Sequence, residues 1–264
     1  MKTIRLISAL LLVVQITFNS YSACAEEKSS KVKLVIAGDY WCPYNCLPNS
    51  DKPGFLVEIA QRAFYIYEID VEYKMMPWSQ ALEKINTGEI DGILGISVPS
   101  AKNLVTTKLP LEYSLSGVYT RNDTEWVYDG IESLKGKKIS FIMDYVIDES
   151  INTFFGSEYT KDPGMFSIED SEKAVIESIA NLLDKKSDVY IEDERVVNYY
   201  IKQNNLKDSI KYAGRVTKNK LPIYIAFSPK TANIKKYIKF LEEGIASLKA
   251  TGEYDEIMAK YDIE

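Results

Sequence analysis

Residues 82–96 read LEKINTGEIDGILGI, and residues 182–191 read LLDKKSDVYI. In both, an apolar helix end gives way to a polar break, then to an aspartate (Asp91, Asp188), then to an apolar run. Gly88 suits the left-handed residue that closes a helix. Each short apolar run behind the aspartate has the pattern of a strand covered on both faces. One layout met twice predicts two α/β units of similar design, and two copies are too few for a repeat array.

The flanking segments extend the scheme. Ahead of the first stretch, residues 33–37 (KLVIA) form a short apolar run that stops at Gly38-Asp39, as a buried strand does. Between Leu56 and Tyr67, the residues Val57, Ala60, Phe64 and Tyr67 fall on one helical face. Residues 70–75 alternate as a strand, Pro77-Trp78 breaks it, and Ser79 is placed to cap a helix carrying Leu82 and Ile85. Around the second stretch, a strand is expected over 139–143 and a helix over 147–155. A further helix carries Val175, Ile179, Leu182 and Leu183 on one side. Strand–helix alternation of this kind implies mainly parallel sheets with helices on their faces. Two short runs, Gly117 to Thr120 and Ile223 to Phe227, sit where the chain passes between units. Beyond them, Ile234, Ile238, Leu241, Ile245 and Leu248 make an amphipathic stripe, which reads as core packing, and Gly252 ends that helix.

Composition narrows the function. The chain of 264 residues is 46% hydrophobic and 27% charged, the balance of a globular protein with ample core. Its net charge of −6 and lack of a basic run argue against nucleic acid, since phosphate contacts need clustered Lys and Arg. There is no histidine, which excludes Ser-His-Asp and Cys-His nucleophile systems and His-ligated zinc. No residue pattern points to a cofactor or a metal.

The first residues read as an export signal over 1–25. Lys2 and Arg5 precede an apolar core, Leu6 to Phe18, and the small residues Ala23-Cys24-Ala25 come next. The apolar stretch is shorter than the ~20 residues of a spanning helix. Ser22-Ala23-Cys24 is also similar to the end of a lipoprotein signal, which leaves a lipid tether through Cys24 as the alternative to simple removal. Export implies an oxidising compartment, where Cys42 and Cys46, flanking the turn Pro43-Tyr44-Asn45, are expected to form a disulfide. Three residues between them, instead of two, argue against a thiol oxidoreductase.

Ligands of open α/β sheets sit beyond the carboxyl ends of the strands. The residues just past the expected strands are Asp39, Tyr40, Trp41 and Tyr44; Pro77 and Trp78; Gly95, Ile96 and Ser97; Asp144 and Tyr145; and Glu192 and Asp193. That set is aromatic and acidic and holds no nucleophile with a partner base. From it, Tyr40, Trp41, Tyr44, Trp78, Gly95, Ser97, Asp144 and Tyr145 are taken as ligand-binding candidates. Rings supply apolar contact area, Ser97 a hydroxyl, and Asp144 and Tyr145 polar contacts before a helix start.

Four motifs in order carry a resemblance. Gly54-Phe55-Leu56-Val57-Glu58-Ile59-Ala60 resembles the G-F-x-x-D/E helix start of extracellular solute-binding proteins of the amino-acid-binding type (family 3). Pro77-Trp78-Ser79-Gln80-Ala81-Leu82, with Gly88-Glu89-Ile90-Asp91-Gly92, is similar to their second helix and third strand. Asp188-Val189-Tyr190-Ile191-Glu192-Asp193 resembles the strand that presents a ligand-facing acid. Leu248-Lys249-Ala250-Thr251-Gly252-Glu253-Tyr254, through Lys260-Tyr261, resembles the family's C-terminal signature. The resemblance implies a two-lobed type II periplasmic-binding-protein fold with two hinge crossings. Lobe one would be 26–118 plus 226–264, and lobe two 119–225. It implies an exported, periplasmic protein of Gram-negative type that closes on a small polar ligand, an amino acid or a related compound, for an ABC transporter permease. Asp193 aligns with the acid that holds a ligand ammonium in relatives. Counting from Gly95, Lys102 takes the place of the arginine that clamps a ligand carboxylate; a lysine is a point charge and not a fork, so the clamp is changed. Two alternatives share the fold. One is an enzyme of the cyclic-acid dehydratase kind, with Glu192, Asp193 or Asp144 as general acid. The other is a ligand-binding partner of a membrane receptor. The expectation is a binding protein and not an enzyme.

Overall fold

The structure is a computed structural model that describes residues 32–263; the export signal over 1–25 and Cys24 lie outside the described residues. Strand β1 (Val32–Gly38) buries Leu34, Ile36 and Ala37. It pairs in parallel with β2 (Ile69–Met75) and β3 (Gly92–Ser97). The crossovers are α1 (Phe55–Tyr65) and α2 (Trp78–Thr87). α2 starts two residues earlier than its sequence suggests: Pro77 is its cap, and the Ser79 hydroxyl donates to Asp170 instead. β11 (Leu221–Phe227) joins β3 antiparallel and carries the short strands β4 (Val105–Thr106) and β5 (Glu112–Ser114), giving the order β2-β1-β3-β11-β4 with β5 also on β11.

The second sheet copies the first. β7 (Ile139–Ile142) pairs in parallel with β8 (Phe166–Glu169) and β9 (Val189–Asp193), linked by α3 (Glu149–Lys161) and α4 (Ala174–Leu183). β6 (Ser116–Arg121) adds antiparallel to β9 and takes β10 (Ile210–Arg215) on its far side, so the order is β10-β6-β9-β7-β8. In each sheet, three parallel strands therefore lie beside one antiparallel strand that enters from the other sheet. The sheets are mixed for that reason: a strand crossing between units returns against the grain of the βαβ strands. The chain leaves the first sheet at Leu115, between β5 and β6, and returns over residues 216–220, between β10 and β11. These crossings precede the boundaries expected from sequence at 118 and 225 by a few residues.

One buried cluster runs through both units, from Leu34, Phe64 and Phe227 to Ile142, Ile179 and Tyr190, and a second lies within the second unit alone. Phe64 of α1 meets Phe227 of β11 edge-on, and Leu241 of α6 (Ile234–Thr251) is fully buried beside them. In the second unit Phe141, Phe155 and Phe166 form an aromatic cluster under β7 and β8. Burying such rings is the main driving force, about 1.5–3 kcal/mol for each large apolar side chain. The helical tail is two helices, since Gly252 in the left-handed region separates α6 from α7 (Glu253–Lys260). No helix among the described residues is long and apolar enough to cross a membrane.

Candidate functional site

The loop after β1 is folded by its own backbone. The Trp41 amide donates to the Asn45 carbonyl and the Asn45 amide to the Trp41 carbonyl, closing a turn that the Cys42–Cys46 disulfide locks. Phe55 and Leu56 amides at the start of α1 donate to Pro43 and Tyr44 carbonyls, which fixes the turn to the helix. The turn stacks Trp41 on Tyr44 at 3.9 Å between ring centres. It also points Asn45 inward, where Nδ2 donates to the Asp39 carbonyl at 3.0 Å.

Across β3, Gly95 is the extra residue of a β-bulge: Leu94 pairs with Ile225 and Ile96 with Tyr224, leaving Gly95 between them at φ 77°. A side chain there would sit 3.3 Å from the Trp41 ring, so glycine meets both the backbone geometry and the space.

Between the sheets these parts enclose one cavity of about 50 Å³, enough for a few water-sized groups. Its walls include Asp39, Trp41, Asn45, Trp78, Gly95 and Ser97 from the first unit, and Tyr145 and Glu192 from the second. Four of these lie at or just past the ends of inner strands: Asp39 after β1, Ser97 on β3, Tyr145 after β7, and Glu192 on β9. That is where the strand-end rule places a ligand.

Hydrogen bonds span the cleft. Trp41 Nε1 donates to Glu192 Oε1 at 3.0 Å, and the Tyr44 hydroxyl to Asp193 Oδ2 at 3.1 Å. The Tyr145 hydroxyl donates to the Asp39 carboxylate, and Trp78 Nε1 to the Asp144 carbonyl at 3.3 Å. The Tyr40 amide donates to the Glu172 carbonyl at 2.9 Å. These contacts hold the two units together across the site, so a ligand of any size enters only when they part.

The electrostatics are dominated by buried carboxyls. Burial pushes Asp39 up to about 6, partly offset by the Tyr145 hydrogen bond. Burial pushes Glu192 up to about 8, against the lowering effect of hydrogen bonds from Trp41, the Asp193 amide and Tyr190. Asp193 is also raised by burial, opposed by Ser114 and by backbone amides.

The sequence-derived candidates divide into two groups. Trp41, Trp78, Gly95, Ser97 and Tyr145 line the cavity together. Tyr40, Tyr44, Asp144, Lys102 and Asp193 do not. Tyr44 lies behind Trp41 and bonds to Asp193. Asp193 is the N-cap of α5 (Glu194–Asn204): Oδ1 accepts from the Arg195 and Val196 amides, and Oδ2 from Ser114, the Leu115 amide and Tyr44. Its lone pairs are all engaged inside the protein. Asp144 offers only its backbone carbonyl, to Trp78. Lys102 is exposed and borders a neighbouring surface depression with Asp148 and Glu149. The cavity adds residues the candidate set lacked: Asp39 and Glu192, both at strand ends, and Asn45, Ser100, Ser114 and Ser116, which nothing in the local sequence marks.

Two matching sheets that face one aromatic and acidic cleft define a two-lobed ligand-binding protein of the type II periplasmic-binding fold. The chain belongs to the bacterial extracellular solute-binding proteins, family 3, which match it over residues 33–263. It is thus a binding protein, not an enzyme. A histidine kinase sensor domain with similarity to periplasmic binding proteins superposes with a TM-score of 0.71 at 22% identity, covering 87% of this chain and 95% of that one. An ancestral arginine-binding protein bound to arginine gives 0.71 at 17% identity, with 87% and 97% covered. The substrate binding protein of an amino acid ABC transporter gives 0.66 at 18% identity, with 87% and 98% covered. At these identities the likeness is one of fold. No curated protein matches the chain in sequence.

Proposed function

We propose that the chain is an exported solute-binding protein that captures a small polar ligand between its two lobes and presents it to an ABC transporter in the periplasm. The observation that carries this reading is the cavity itself, built half from each sheet at the ends of the inner strands. Ligand contacts on both walls stabilise the shut arrangement more than the open one, and the two passages at Leu115 and residues 216–220 are the natural hinge. Family membership supports the extracellular setting, and the leading segment 1–25 supports export. The Cys24 tether remains the alternative form of the mature start.

Mass spectrometry of protein purified without refolding and then denatured tests the reading. One small polar compound, released in a near one-to-one ratio and raising the melting temperature when added back, is expected. A protein that releases nothing, and whose melting temperature no member of a broad amino-acid, amine and polyol library raises, contradicts it. The placement of Lys102 gives a second expectation. An exposed charge outside the cavity contributes little, so Lys102→Gln leaves the affinity for the released compound within about twofold by calorimetry.

A further inference from the structure

The polar groups of the cavity are unbalanced in one direction. Its walls hold two carboxyls, Asp39 and Glu192, and no lysine or arginine. The nearby Arg195 is engaged elsewhere, with Glu112 at 3.3 Å and with Tyr44 and the Tyr113 carbonyl. Asn45 is 1% exposed, lines the cavity, and its Oδ1 has no hydrogen-bond partner among the described residues. A buried acceptor without a donor is costly, so this oxygen asks for a donor from a guest. Asp39 accepts from one side-chain donor, Tyr145, and keeps acceptor capacity. Trp41 and Trp78 add ring surface, whose negative faces favour a cation.

A ligand carboxylate has no counter-charge here. It would sit unpaired beside two acids in a site shielded from water, an arrangement that repulsion and desolvation both oppose. Lys102, which occupies the clamp position in sequence, does not reach the cavity wall. Of the four serines that line it, Ser114 already donates to Asp193, while Ser97, Ser100 and Ser116 offer hydroxyls that suit neutral polar groups.

From this we infer that the cleft selects an organic cation without a carboxylate: an amine or alkylammonium held by Asp39, Glu192 and Asn45 Oδ1 and flanked by Trp41 and Trp78. This rests on the cleft being the capture site. The groups facing the two acids are Tyr73, Tyr145 and Tyr190, the Asp193 carboxyl next in chain, and each other; all are neutral or acidic at pH 7. A bound cation therefore draws both acids into their ionised forms, and binding releases protons near neutral pH.

The test is calorimetry at pH 7.5 with three matched pairs: choline against glycine betaine, ethanolamine against glycine, and agmatine against arginine. Within each pair only the carboxylate differs in kind. The expected result is that, in at least one pair, the member lacking the carboxylate binds at least tenfold tighter, and that its affinity falls as the pH is lowered from 7.5 to 5.5. Equal or tighter binding of the carboxylated members overturns the inference, and so does a lack of binding across all three pairs. Release of a neutral or anionic compound from the purified protein also overturns it while leaving the capture reading intact. A protein that responds to no compound overturns both. Glu192→Gln keeps the shape and removes the charge. It is expected to weaken the cation at least tenfold without lowering the melting temperature, a split that a merely structural role for Glu192 would not give. Unchanged cation affinity in that variant counts against the assignment.

Discussion

Gly54→Ala is expected to destabilise the protein by about 3 kcal/mol or more. Gly54 sits at φ 113°, ψ 142°, a backbone conformation that L side chains rarely adopt. The added methyl would lie 2.4 Å from the Tyr44 carbonyl oxygen, 2.5 Å from the Asn45 Cα and 2.8 Å from the Cys46 nitrogen. All three are backbone atoms of the turn closed by the Cys42–Cys46 disulfide, so no side chain can swing aside. The Gly54 amide also donates to the Tyr261 hydroxyl at 2.8 Å, tying the turn to the end of α7. The turn must shift, and with it Trp41, Tyr44 and Asn45. Urea unfolding should show a lower midpoint with an unchanged slope, together with weaker ligand binding. A wild-type midpoint would show that the turn yields freely and is no rigid platform for the site.

The second large effect is on pH dependence. Ordinary Asp and Glu side chains titrate near 3.8 and 4.5, whereas burial raises Asp39 to about 6 and Glu192 to about 8. Between these limits the folded chain keeps protons that the unfolded chain has released. Stability is then greatest at the acid end of the window and falls as the pH rises through the folded values, by up to about 1.4 kcal/mol per pH unit for each group. The ligand-free protein is thus expected to lose stability from pH 5 to pH 8, the upper half of that loss belonging to Glu192. Glu192→Gln should flatten the upper half and make the protein more stable than wild type at pH 8. Urea midpoints at half-unit steps of pH check this. Parallel profiles for the two proteins would mean that Glu192 is ionised in the fold, with its hydrogen bonds from Trp41 and Tyr190 outweighing burial.

The stability and binding expectations share one cause. Glu192 is costly to ionise in the shut cleft, and a cation removes that cost.

Much of this fold is legible in the chain because it arises from local apolar patterns. β1, β3 and β9 are short apolar runs, and α1, α4 and α6 carry clear stripes, so burial and period agree with the final elements. α5 is not legible. Only Val196 and Val197 of Glu194–Asn204 are buried, and the residue that starts it, Asp193, reads from sequence as a ligand-facing acid when it is in fact a fully engaged cap. β8 and β10 escape notice because their strand character comes from pairing with β7 and β6, not from their own composition.

The site divides the same way. Trp41, Trp78, Ser97 and Tyr145 are found by looking at the carboxyl ends of the apolar runs. The choice between Glu192 and Asp193 is one of register, since neighbours on a strand face opposite sides and the pairing of Gly117 with Glu192 is set by a crossing strand far away in sequence. Asn45 depends on the closed turn, and Ser114 and Ser116 on the passage between sheets. None of these has a local signature.

The most direct test uses the tryptophans. The chain has three, and Trp126 packs against the core of the second unit, away from the cavity that Trp41 and Trp78 line. In a Trp126→Phe background, emission from Trp41 and Trp78 should change as the natively released ligand is titrated in, saturating at one equivalent with the midpoint found by calorimetry. Calorimetric binding with no change in that emission would place the ligand elsewhere and contradict the cleft as the site of capture.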